Sequence, residues 1–185
     1  RSTEARHPSA DGLHRVPAAE ALSRLLAAQT ASLACLLPAL PALERAAAAA
    51  TEALRGGGKL AYAGAGSSGV MALSDCLELA GTFGIPPERT PMLFAGRAAA
   101  LLHMQGAVED DPALAAADFA RAGLGSGDTV ICVSASGGTP YTVEVARLAR
   151  AAGTTVIGIA NVAGSALLKD ADIAVLLETG AEVVA

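Results

Sequence analysis

Two stretches carry residues whose types and spacing could do chemistry. The first, AYAGAGSSGV at positions 61–70, sets Gly64, Gly66 and Gly69 in a G-x-G-x-x-G pattern directly after a short apolar run. Such a pattern lets a strand turn tightly into a helix whose first amides are unpaired, so it suits an anion. The second, SASGGTPY at 134–141, offers the hydroxyls of Ser134, Ser136 and Thr139 around Gly137 and Gly138, again before a helical pattern. Hydroxyls and free amides can surround a phosphate without a lysine, because each phosphate oxygen accepts several hydrogen bonds.

On its residues alone, the first stretch has two readings. A dinucleotide site needs an acidic residue at the end of the second strand to hold a ribose. That strand ends MLFAGR, with Arg97, which at most favours a 2′-phosphate. A phosphosugar loop has no such requirement. Ser136 or Thr139 taken singly would be a helix cap, but two hydroxyl-rich glycine loops after neighbouring strands weaken that reading. A Gly-Lys-Ser/Thr sequence is absent, which argues against a P-loop nucleotide site.

The elements that must position these loops follow from the patterning. Residues 1–58 read as a polar arm and a helical pair, AAEALSRLLAAQTASLACLL and ALERAAAAATEALRG, separated by Pro38 and Pro41 and stopped by Gly56-Gly57-Gly58. From Lys59 to the end at 185, apolar runs alternate with helical stretches: KLAYAG, TPMLFAG, DTVICVSAS, TTVIGIAN and ADIAVLLE are the expected strands. Strands apolar on both faces belong to a parallel sheet covered by helices. The expectation is α/β, a flavodoxin-like doubly wound sheet of about five strands, with ligands at the carboxyl ends of the strands.

Composition narrows the partners. The 185 residues carry a net charge of −5, so no basic field draws nucleic acid or anionic lipid. The longest apolar region, 31–50, is interrupted by Pro38, Pro41, Glu44 and Arg45 and is not expected to span a membrane. Cys35, Cys76 and Cys132 are odd in number and without a CxxC pair, which predicts free thiols in a reducing cytoplasm. His7, His14 and His103 lack metal-ligand spacing, so no metal is expected. The first residues are charged and polar, unlike a signal peptide. The chain opens without methionine and stops just after an apparent strand, so both ends are expected to be trimmed.

The pairing of GAGSSG with SASGGTPY resembles the sugar isomerase (SIS) family of phosphosugar-binding domains. More narrowly, TEARHP, GKLAYAGAGSSG, TFGIPPE, GAVEDD, ASGGTPY and GAEVV are similar, in order and spacing, to the N-acetylmuramic acid 6-phosphate etherases. The resemblance implies a homodimer, no cofactor, and an amino-sugar 6-phosphate as ligand. It assigns the phosphosugar to Gly66, Ser67, Ser68, Ser134, Ser136, Gly137 and Thr139. It implies elimination of D-lactate through an unsaturated sugar, followed by addition of water, with Glu78 as the acid that protonates the leaving ether oxygen. Read without the resemblance, Glu78 is an ordinary solvated glutamate on an exposed helix face; within it, burial would raise its pKa.

Three positions depart from that pattern. The second catalytic glutamate, a base, corresponds to Gln105, and two arginines are replaced by Val70 and Gly138. Glutamine cannot accept a proton as a carboxylate does. His103 is the nearest substitute, although helical spacing turns it away from position 105. The alternatives are therefore a non-catalytic sensor of sugar phosphates or a phosphosugar isomerase.

Overall fold

Every residue of Leu60–Gly64 (β1) is buried, and its side chains alternate between two cores. Ala61 and Ala63 face one side with Val130, Cys132 and Val156, under Tyr141, Val145, Ala146 and Leu167. Leu60 and Tyr62 face the other side, against Ala72 and Cys76, with Ala50 and Leu54 packed beside them. Both faces must therefore be covered, as continuous apolar strands require. The computed structural model describes residues 5–103 and 106–184.

The remaining strands are Met92–Phe94 (β2), Thr129–Val133 (β3), Thr155–Ala160 (β4) and Ile173–Leu176 (β5), all parallel in the order β2-β1-β3-β4-β5. This is the expected flavodoxin-like order, with its switch point between β1 and β3. The helices are Ala18–Ser32 (α1), Leu36–Arg55 (α2), Gly66–Phe83 (α3), Arg97–His103 (α4), Pro112–Ala122 (α5), Pro140–Ala151 (α6) and Ala166–Asp170 (α7).

Two expectations need correction. Pro38 and Pro41 do not separate the helical pair; the break is a 3-10 turn at Leu33–Cys35, and α2 runs through both prolines. Pro38 falls in the first turn of α2, where the amide is unpaired anyway, and Pro41 forfeits one ladder bond. Helix α4 was also not expected. Along its length the α1–α2 run is apolar enough to cross a membrane by length and composition. Yet α2 lies on the sheet, with Ala39 and Ala53 buried. Its outer side and α1 leave Leu22, Leu26, Leu37 and Leu40 exposed.

The three cysteines are free; Cys76 and Cys132 are buried and Cys35 is half-buried. Burial alone pushes the Cys132 thiol up to about 12.

One buried charge ties distant elements together. Asp118 of α5 is 2% exposed and accepts from Arg97 Nε (3.0 Å) and Nη2 (2.8 Å), Arg121 Nη2 (2.7 Å) and Tyr141 OH (2.7 Å). Burial raises its pKa, but the bonds from Tyr141, Arg97 and Arg121 prevail and hold the carboxyl below its ordinary 3.8. Arg97, at φ 55°, is the one non-glycine residue of positive φ among those described, and its guanidinium is held by Asp118. Asp118→Ala leaves the fully buried Tyr141 hydroxyl without an acceptor and is expected to cost about 2–3 kcal/mol in urea denaturation at neutral pH. Because the folded pKa is depressed, this stabilisation is present above pH 3.8 and is lost as the pH falls below it. The gap between parent and variant should accordingly narrow below that pH.

Candidate functional site

The G-x-G-x-x-G glycines divide their work. A Cβ at Gly64 would lie 2.8 Å from Gly69 Cα, and one at Gly69 would lie 2.7 Å from Phe94 Cε2. The first and third glycines thus let α3 pack directly on β1. Gly66 opens α3 in the left-handed region, at φ 52°. The residue before it, Ala65, is the N-cap and has no side chain with which to cap the helix.

The loop after β3 is tied to the loop after β1. Ser68 Oγ accepts from the Ala135 amide at 3.3 Å. Ser134 is buried, shares a hydrogen bond with Thr139 Oγ1 (2.9 Å) and accepts from the Gly137 amide (3.1 Å). Ser136 Oγ accepts from the Gly138 amide at 3.2 Å. Thr139 stands at the N-cap of α6 but makes no cap bond with its side chain, and Pro140 follows at the first helical position. The helix-cap reading of Thr139 is therefore not realised. Both α3 and α6 begin at the same edge of the sheet with no side-chain cap, so their first-turn amides remain available to an anion.

The loop after β4 props this cradle from beneath. The Asn161 amide donates to Ala135 O, and the Leu167 amide donates to Gly137 O, each at 2.9 Å. Gly137 sits at φ 62°, and a Cβ there would collide with Ser165 Oγ and lie 2.5 Å from Ser165 Cβ. Beside the cradle opens a cleft of about 660 Å³, lined by Ser67, Ser68, Ala135, Asn161, Thr179 and His7 among others. Ser67 is exposed within it.

Glu78 is not part of this cluster. It is exposed on α3 and accepts from Thr82 Oγ1 at 2.8 Å. Eleven residues separate it from Ser67, about 16 Å along the helix axis. Gln105 lies outside the described residues, as does the side chain of His103. Val70, the fifth residue of α3, is partly buried, and Gly138, in the second loop, is exposed.

Residues 27–161 match the SIS domain family. The chain belongs to that family. In this SIS domain the glycine- and hydroxyl-rich loops lie at the carboxyl ends of β1 and β3. It is 39% identical over 184 residues to the N-acetylmuramic acid 6-phosphate etherase of Deinococcus radiodurans, a match covering 100% of this chain and 60% of that protein. The etherase of Thermobifida fusca is 38% identical, covering 99% and 60%. This SIS chain therefore spans about 60% of the length of these curated relatives. A phosphoheptose isomerase from Francisella tularensis superposes with a TM-score of 0.66 at 24% identity, covering 84% of this chain and 85% of that one. One from Neisseria gonorrhoeae gives 0.64 at 20% identity, covering 84% of each. Both share the fold.

Two groups near the loops of this SIS domain were missed by sequence reasoning. Ser165 closes under Gly137 with its hydroxyl buried and unpartnered. Glu109 packs its carboxylate on Gly66. Glu109 lies in the GAVEDD stretch but was not singled out there; only the fold brings it and Ser165 to the site.

Proposed function

We propose that the chain binds the 6-phosphate of an amino sugar in the cradle of Ser67, Ser68, Ser134, Ser136 and Thr139 with the glycines Gly66 and Gly137. The observation that carries the reading is the pair of uncapped helix starts, α3 and α6, joined through the Ser68–Ala135 bond. Ser134 acts mainly by holding the loop around Thr139 and Gly137, since its hydroxyl is already engaged.

The reaction proposed is removal of D-lactate from N-acetylmuramic acid 6-phosphate, leaving N-acetylglucosamine 6-phosphate. Likeness to the etherases along the whole chain supports it. A base takes the proton beside the sugar carbonyl, the C3–O bond breaks as Glu78 protonates the departing lactyl oxygen, and water then adds across the new double bond. At about 16 Å along α3 from Ser67, Glu78 is too far to serve the cradle of its own chain, because a hexose spans roughly half that distance. It would instead meet the sugar held by a second copy. The homodimer is supported by the exposed Met71 and Leu77 on α3 and by the leucines left uncovered on α1 and α2. A partner over α3 would also supply the apolar surroundings an acid needs near neutral pH. The cytoplasm, where a sugar phosphate is available, is the proposed location.

A second reading is favoured by Gln105, Val70 and Gly138: a sensor that binds the sugar phosphate without turnover. Incubation with N-acetylmuramic acid 6-phosphate, followed by assay of D-lactate, separates the two. Release is expected, and Gln105→Glu is expected to accelerate it by about tenfold or more. Tight binding without lactate from either protein would establish the sensor.

A further inference from the structure

The reaction proposed above needs a base beside C2 of the sugar, and Gln105 cannot serve, since a carboxamide does not take up a proton as a carboxylate does. A phosphate held by the two loops lays its sugar in the adjoining cleft, which Ser67, Ser68 and Ala135 of those loops line. Among the described residues, that cleft is lined by one carboxylate, Glu182, and one imidazole, His7. They come from opposite ends of the chain, from GAEVV and TEARHP, two of the stretches that resemble the etherases. The segment leading to Glu182 is pinned to the second loop. The Asn161 amide donates to Ala135 O at 2.9 Å, and Asn161 Nδ2 donates to Thr179 Oγ1 at 2.8 Å, just before Glu182. His7 Nδ1 accepts from the Ser9 amide at 3.0 Å, so the proton of the neutral ring is on Nε2, which is left as a donor.

We infer that Glu182 is the catalytic base of this site and that His7 is the donor that stabilises the charge it creates. The inference rests on the phosphosugar reading above. In the open-chain sugar the C1 carbonyl acidifies the C2 proton. Glu182 takes that proton, the C2–H electron pair becomes the C1–C2 double bond, and the carbonyl oxygen gains the negative charge, to which His7 Nε2–H donates. Collapse of this enolate forms the C2–C3 double bond and expels the lactyl oxygen from C3, protonated by Glu78 of the second copy. When water adds, its hydroxyl joins C3, the Glu78 carboxylate takes the remaining proton, and Glu182 returns its own to C2. A carboxylate paired with a neutral imidazole donor suits proton removal beside a carbonyl.

The test is exchange of the C2 proton of N-acetylglucosamine 6-phosphate for deuterium in heavy water, followed by NMR. This sugar has no lactyl group, so the exchange reports the base without the acid. The parent, Glu182→Gln, Glu182→Asp and His7→Phe are compared, with titration of the same sugar and melting curves to separate lost chemistry from lost binding or folding. The parent is expected to exchange. Glu182→Gln should slow exchange by about a hundred- to ten-thousand-fold and His7→Phe by about a hundredfold, each without loss of sugar-phosphate binding. Glu182→Asp, which keeps a carboxylate, should retain part of the rate. Exchange at the parent rate in Glu182→Gln overturns the inference and leaves the phosphosugar reading intact; the same result in His7→Phe overturns the donor's role. A parent that binds the sugar phosphate but neither exchanges C2 nor releases lactate also overturns the inference and establishes the sensor. A parent that does not bind the sugar phosphate defeats the phosphosugar reading itself.

Discussion

Glu78→Gln is expected to slow release of D-lactate by about a hundred- to ten-thousand-fold, the loss typical of a removed general acid. The amide can still hydrogen-bond the ether oxygen but has no acidic proton to give it. Binding of N-acetylglucosamine 6-phosphate should be almost unchanged, because this product has no lactyl ether for Glu78 to protonate and its phosphate is held by the loops. The substitution should not harm the fold either, since Glu78 is exposed and its one side-chain bond, from Thr82, is on the surface. A fall in kcat with intact binding is thus the signature. If lactate release persists at the parent rate, Glu78 is a surface glutamate and the acid lies elsewhere. Mixing Glu78→Gln with a cradle-defective chain adds a sharper readout, because only a site shared between copies regains activity in such a mixture.

Gly137→Ala should weaken sugar-phosphate binding by about a hundredfold or more, corresponding to roughly 3 kcal/mol. Two costs combine. The residue sits at φ 62°, where a Cβ is disfavoured, and that Cβ would run into Ser165 Oγ, with Ser165 Cβ at 2.5 Å and Ala160 Cβ at 3.0 Å. Ser165 cannot yield easily, because it precedes α7 and its hydroxyl is enclosed. The second loop must move instead. Its amide then leaves Ser134 Oγ, and its carbonyl leaves the Leu167 amide. Titration with N-acetylglucosamine 6-phosphate measures the loss. Parent-like affinity would show that the ligand does not depend on this loop.

Alternation of apolar runs with helical stretches was enough to read the sheet and the two loops after β1 and β3, because parallel strands covered on both faces are apolar throughout. Boundaries were harder where local chemistry is ambiguous. Pro38 reads as a breaker yet is tolerated in the first turn of α2. Helix α4 is only seven residues, RAAALLH, and opens on Arg97 itself, at φ 55°, so nothing local marks its start. The long-range contacts were not legible at all. Asp118 draws Arg97 and Tyr141 from two other helices, and Glu109 reaches Gly66 from 43 positions away in the chain. The glycine fingerprint was legible as an anion loop, but its choice of ligand depends on what surrounds it: a second hydroxyl-rich loop, and an Arg97 already engaged by a carboxylate.

Parallel calorimetric titrations with N-acetylglucosamine 6-phosphate and with NADP test most directly whether the two loops form a phosphosugar cradle. Saturable binding of the sugar phosphate, lost in Gly137→Ala, and no heat from NADP is the expected result. Binding of NADP with silence from the sugar phosphate would contradict the account and return the G-x-G-x-x-G loop to a dinucleotide.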